Sequence, residues 1–148
     1  MKTLAKPQVR RLVLDRVGSL TLESQRRWGE MTILQMLRHL SGAMEIVLDE
    51  GEFPSMRPLS GLVKFIALKT TLPWPKGVAT SRDPKAVDIP AADFELWRGK
   101  VLAGIDGFGA WSKGPGTPSH PAFGDLTTWE WQRWAYLHAD HHLRQFSA

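Results

Sequence analysis

The sequence predicts an all-α fold, a four-helix bundle with elaborated Pro/Gly-rich loops, in one domain spanning residues 1–148. Three observations point there. Apolar residues recur at helical spacing in stretches that open on helix-capping residues. Proline- and glycine-rich connections separate these stretches. No stretch keeps the apolar–polar alternation of a half-buried strand.

The elements follow in order. "PQVRRLVLDRVGSL" opens on Pro7, suited to a helix first turn, and breaks at Gly18. "LESQRRWGE" is expected to add a turn or two of helix before Gly29. Thr32 is placed as the N-cap of "ILQMLRHLSGAMEIVLDE", a long helix ending near Gly51. "LSGLVKFIALKT" is a short helix after the linker "GEFPSMRP". Residues 71–90 hold four prolines, and a connection of that length tends to be functional or mobile. "AADFELWRGKVLAGIDGF" is helical despite Gly99 and Gly104. A second irregular stretch, "GAWSKGPGTPSHPAFGD", leads to a last helix that Thr127 caps, with Glu130 placed for a capping box.

Composition narrows the chemistry. A length of 148 residues suits a single core, and 43% apolar with 23% charged residues is ordinary for a soluble globular protein. Cysteine is absent, so disulfides and thiolate ligands are excluded and a metal would rest on His, Asp or Glu. The net charge of +4 is a mild excess, without the dense basic stripe of a nucleic-acid module, so nucleic acid is not an expected partner. "MKTLAKPQVRRL" lacks the apolar core of a secretory signal, and no apolar run approaches the length of a membrane span. A cytoplasmic protein without membrane contact is expected.

The chemistry concentrates in "YLHADHHLRQF", residues 136–146. Wound at about 100° per residue, the last helix puts Glu130, Arg133, Asp140 and Arg144 in one arc, expected to face water. Trp131, Ala135, His138, His142, Gln145 and Phe146 lie opposite. His138 and His142 thus point inward one turn apart, close enough to chelate one ion. Two imidazoles in a core need several hydrogen-bond partners, and an unpaired one costs about 1–3 kcal/mol. A cation resolves this, because each neutral ring offers it one nitrogen. On the long helix, His39 falls on the shoulder of the buried stripe beside Ala43 and Ile46, placed to reach a neighbouring helix. Together His39, His138 and His142 would form a three-histidine site with open positions, the pattern of a catalytic and not a closed structural metal site. Taken singly, H-x-x-x-H is weak, and an isolated His39 reads as a satisfied edge histidine.

"RWGEMTILQMLRHLSGAMEIVL", followed much later by "HPAFGDLTTWEWQRWAYLHADHHLRQF", resembles the DinB-like superfamily. Within it the chain is similar to a domain-of-unknown-function branch with the pattern HPxFG…HxxDHHLRQF, and "LPWPKGVAT" and "RWGEM" look like that branch too. The resemblance spans nearly the whole chain. It implies an up-down-down-up bundle, often a homodimer, binding a divalent metal, zinc or nickel, through His39, His138 and His142, with Gln145 shortly after. Relatives include S-transferases that use a low-molecular-weight thiol, and a maleylpyruvate isomerase. A small-molecule substrate is therefore expected. The function expected is thiol S-transfer to a small electrophile. Metal-dependent hydrolysis or isomerisation, or a non-catalytic metal-stabilised binding module, are the alternatives. No general base or other catalytic residue stands out, since the helical wheel turns Glu45 and Asp140 to solvent.

Further residues have a plain and a sharper interpretation. Trp131 and Trp134 are core by position. Trp74 is a loop anchor or a pocket wall, and Trp28 the same. Lys76 and Arg82 are solvated or hold an acidic substrate group. His120 staples the turn before the last helix or serves as an outlying ligand. His141 is partly exposed or a hydrogen bonder beside the metal. Gln145 shares the inner face and would bond a metal-bound group.

Overall fold

A computed structural model describes residues 1–49, 51–54, 59–77 and 87–148. Among these residues the fold is all-α. Its helices are α1 (Pro7–Gly18), α2 (Ile33–Leu48), α3 (Gly61–Lys69), α4 (Phe94–Gly107) and α5 (Thr128–Gln145), with a single 3₁₀ turn (Ala91–Asp93) leading into α4. No helix of the described residues is long and apolar enough to cross a membrane.

The caps set the helix starts. Pro7 stands at the first turn of α1. Thr32 and Gln35 close a reciprocal capping box on α2, and Thr127 and Glu130 close another on α5, so each satisfies two otherwise orphaned backbone N–H groups. Ser60 caps α3. α4 packs on α1 and α2, while α5 packs on α1, α2 and α3. Between α2 and α4 the backbones approach at Gly104, where a Cβ would sit 3.0 Å from the Met44 sulfur. That close packing explains a helix-weakening residue inside α4. The core between the helices is filled by Met36, Leu37, Leu40, Met44, Val101, Ile105 and Trp131, all fully buried.

Two expectations fail. Residues 21–30 form no helix. Their backbone pairs instead with the end of α5: Arg27 N–H donates to the Gln145 carbonyl at 2.8 Å, and the Gln145 amide donates to the Trp28 carbonyl at 2.9 Å. The chain then turns at Gly29, whose φ of 77° lies in the left-handed region and where a Cβ would meet Gln145 Nε2 at 2.5 Å.

The second failure concerns α5. Its polar arc does not face water; Glu130 and Arg133 are buried and Asp140 is half-buried, leaving Arg144 exposed. Helical spacing groups polar residues on one side but does not tell what covers that side. Here α3 and the N-terminal segment do. Glu130 accepts from the Thr127 backbone and pairs with Lys64 and Lys69 of α3, each at 3.4 Å. Arg133 donates to the carbonyls of Lys2, Leu68 and Thr70 at 2.9–3.2 Å. Asp140 takes Arg16 of α1 at 2.7 Å and Arg144 at 3.0 Å. Glu45 likewise is not free in solvent but pairs with Lys100 of α4 at 3.0 Å.

Replacing Arg133 by Met keeps the volume but strands three carbonyls, two of them in the α3 region. We expect a loss of about 3 kcal/mol or more in urea denaturation. Thr127→Ala, which removes one cap, should cost only about 1 kcal/mol. Equal losses would show that the buried guanidinium does not organise this side of α5.

Candidate metal centre

α2 and α5 bring three imidazoles together. His39 projects from the middle of α2, and His138 and His142 from successive turns of α5. One ligand atom from each lies within 4.8 Å of the others. The ring centroids form a near-equilateral triangle, 4.9 Å between His39 and His138, 5.0 Å between His39 and His142, and 5.0 Å between His138 and His142. His39 Nε2 stands 2.9 Å from His138 Nε2. Two nitrogens each about 2.05 Å from a shared ion are separated by about 2.9 Å at a right angle and about 3.4 Å at the tetrahedral angle, so this spacing fits joint ligation. Three borderline nitrogen donors suit zinc, nickel and similar divalent ions.

Burial keeps these rings neutral. It is the leading cause that lowers His39 to about 4, with His141 adding to it. It likewise lowers His142 to about 3, with His39 next and a partial opposing pull from Gln145. His138 is driven well below the ordinary imidazole range by burial first, then by His39 and His142. At neutral pH each ring therefore offers a free lone pair. His138 Nδ1 is buried without a hydrogen-bond partner among the described residues, while its Nε2 faces His39.

Gln145 bonds one of the candidate ligands. Its Oε1 accepts from His142 Nδ1 at 2.9 Å, while its amide N–H₂ donates to the Trp28 carbonyl. The second bond fixes which end of the amide faces His142. A carbonyl oxygen only accepts, so His142 must carry its proton on Nδ1 and present Nε2 as the lone pair.

The remaining candidates take outer places. His141 is half-buried, edge-on to His142 with centroids 5.2 Å apart and 6.1 Å from the Trp28 ring. Trp74 donates its indole N–H to the Ala67 carbonyl, which anchors it to α3, and lays its ring 6.3 Å from His138 and 6.4 Å from His141. Anchor and wall are thus one role. Trp134 flanks His138 at 5.1 Å. Lys76 lies 4.4 Å over Trp28. His120 is not part of the triad. Its Nδ1 accepts from the backbone N–H groups of Ala122 and Phe123, and its backbone pairs with Gly124, so it holds the turn before α5. Arg82 lies outside the described residues, as do 78–81 and 83–86 of the long connection. From the sequence Arg144 falls on the arc expected to face water, and Arg27 reads as a solvated cation with weak anion attraction as the sharper possibility. With Lys76 they line a surface concavity of about 340 Å³ next to Trp28, and only the fold brings them together.

A family model described as "Protein of unknown function (DUF1569)" matches residues 9–148. No curated protein and no solved structure matches the chain.

Two outcomes follow from this geometry. Gln145→Leu leaves the imidazoles in place but frees the His142 tautomer; affinity for zinc should fall about 10- to 100-fold in competition with a chromophoric chelator. The metal-free protein should lose stability on acidification. His120, His138 and His142 have folded-state values below the unfolded one near 6.5, so the unfolded chain takes up protons that the folded chain refuses. Stability is complete above about 6.5 and declines below it toward the folded values of about 4 for His120 and about 3 for His142, with His138 acting in the same direction. Between pH 7.5 and 5.5 each such imidazole should cost about 1 kcal/mol in denaturant midpoints converted to free energy. A flat profile would show that these rings charge freely in the fold.

Proposed function

We propose, from the premise that this chain belongs to the DUF1569 family, that it is a divalent-metal-dependent enzyme of the DinB-like superfamily, transferring a low-molecular-weight thiol to a small electrophile. One observation carries this: His39, His138 and His142 converge from two helices with their ligand atoms inside 4.8 Å. The pairing of α1 and α2 with both α4 and α5 suits an up-down-down-up four-helix bundle. Three neutral ligands would leave a zinc or nickel ion its full charge and an open position, supplying Lewis acidity that favours the thiolate of a thiol bound there.

The chain's own residues favour thiol transfer over hydrolysis. Without cysteine the thiol must come from outside. Its proton leaves to solvent, its sulfur forms a bond to carbon of the electrophile, and the leaving group departs with the electron pair of the broken bond. No protein base is needed beyond ionising the thiol. Activating water would call for a carboxylate or imidazole placed as base. Among the described residues Glu45, Glu130 and Asp140 are each committed to cations elsewhere, and Asp125 accepts from the Ser119 hydroxyl, which leaves His141, edge-on to His142, as the imidazole nearest such a role. Trp74 and Trp134 beside His138 keep the centre poorly solvated, which strengthens charge interactions within it.

A second reading rests on the placement of the triad across α2 and α5: an ion there would tie two helices together without any reaction. The two readings separate on His142→Ala. In an enzyme the variant loses turnover and keeps its fold; in a metal-stapled module it loses several kcal/mol of stability.

Protein purified without a nickel column should carry about one divalent ion per chain by elemental analysis. His39→Ala, His138→Ala and His142→Ala should each lower that content sharply. A screen pairing thiols with electrophiles should then give turnover that a chelator abolishes. Wild-type metal content in all three variants would end the proposal.

A further inference from the structure

Outside the imidazole triad, the concavity of about 340 Å³ is lined by Arg27, Trp28, Lys76, Arg144, Ser147 and Ala148. Three of these carry positive charge; among the described residues no carboxylate side chain lines it, and the terminal carboxyl of Ala148 is the acidic group there. All three cations are exposed. Their existing partners leave them capacity. Arg27 spends one N–H on the Ser147 hydroxyl at 2.7 Å. Lys76 rests on the face of Trp28. Arg144 pairs with Asp140 at 3.0 Å, but that carboxylate is shared with Arg16 at 2.7 Å. One carboxylate therefore answers two guanidiniums, and among the described residues Arg27 and Lys76 form no ion pair. Gathering like charges around a hollow is unfavourable unless an anion fills it.

We propose that this concavity binds the carboxylate or phosphate group of a small anionic ligand. Arg27 and Arg144 present planar forks that match such oxygens, Lys76 adds a point charge, and the Trp28 indole gives a flat wall for the ligand's carbon skeleton. The volume suits a small molecule. The Trp28 ring that lines the concavity stands 6.1 Å from the His141 ring, itself 5.2 Å from that of His142. If the thiol-transfer reading above holds, the anion belongs to the thiol or the electrophile, held by its charged end beside the reacting centre. That assignment rests on the reading; the anion site itself does not.

The test uses the full chain, freed of metal by a chelator, in low-salt buffer, with succinate and inorganic phosphate as probes and the uncharged succinamide as control. Calorimetry should show saturable binding of at least one anion and none of succinamide. Binding of succinate alone assigns a carboxylate ligand, and of phosphate alone a phosphate ligand. Arg27→Ala and Lys76→Ala, both exposed, should keep the wild-type melt and each weaken the anion about five- to tenfold. Lys113→Ala, beside Thr128 at the far end of α5, should leave affinity unchanged. The proposal falls if neither anion saturates by about 20 mM, if Arg27→Ala and Lys76→Ala bind as wild type does, or if Lys113→Ala weakens binding as much as they do. Because metal is absent throughout, anion binding by a chain that never takes up a divalent ion would sink the metal-enzyme reading and leave this site standing.

Discussion

The structure depends on two imidazole nitrogens facing each other at 2.9 Å between α2 and α5. Were both rings charged, their repulsion at an effective dielectric near 20 would be about 6 kcal/mol, before any cost of burial. Were both neutral and alone, one nitrogen could donate to the other, but His142 would still add a third lone pair to the same small space. The interior thus concentrates electron pairs without enough protons to match them. A metal cation could take three such pairs at once, and burial disfavours the competing protons.

Such a site needs its rings aimed, and the polar side of α5 supplies the aim. A rotation of α5 by about 20° would move a ring held roughly 6 Å from the helix axis by about 2 Å, the length of a metal–nitrogen bond. Glu130 locks the first turn to α3, Arg133 the next to the N-terminal segment and the end of α3, and Asp140 the fourth to Arg16 of α1. These attachments lie along one side of the helix, and the histidines project from the other. Buried ion pairs of this kind contribute little net stability, because desolvation offsets their attraction. Their value here is directional.

That division of labour also explains what was legible in the sequence. Caps and apolar spacing located α2 and α5 closely, because Thr32–Gln35 and Thr127–Glu130 are local chemistry. The inward turn of His138 and His142, and the shoulder position of His39, follow from helical geometry alone. The buried fate of Glu130, Arg133 and Asp140 does not, since their partners lie on segments far away in the chain. Gln145 was legible as an inward residue but not as the partner of His142 Nδ1. That role needs the Trp28 carbonyl, and "LESQRRWGE" looks helical until the end of α5 offers its backbone other bonds. Gly104 looked like a weakness in α4 until Met44 appeared against it.

Trp28 is where the inner and outer parts of the site meet. Its carbonyl orients the Gln145 amide, and that amide sets the proton on His142. Its ring borders His141 on the inner side and carries Lys76 on the outer. The position of this one residue is set by the turn that follows it. Gly29 adopts a backbone conformation that other residues resist, and it leaves a gap that the Gln145 amide occupies. A side chain there would displace the amide, and with it the hydrogen bond that leaves His142 Nε2 free. The chemistry of a helix near the C-terminus is thereby governed by a glycine in an irregular segment more than a hundred residues earlier. No helical pattern in either segment reveals that link.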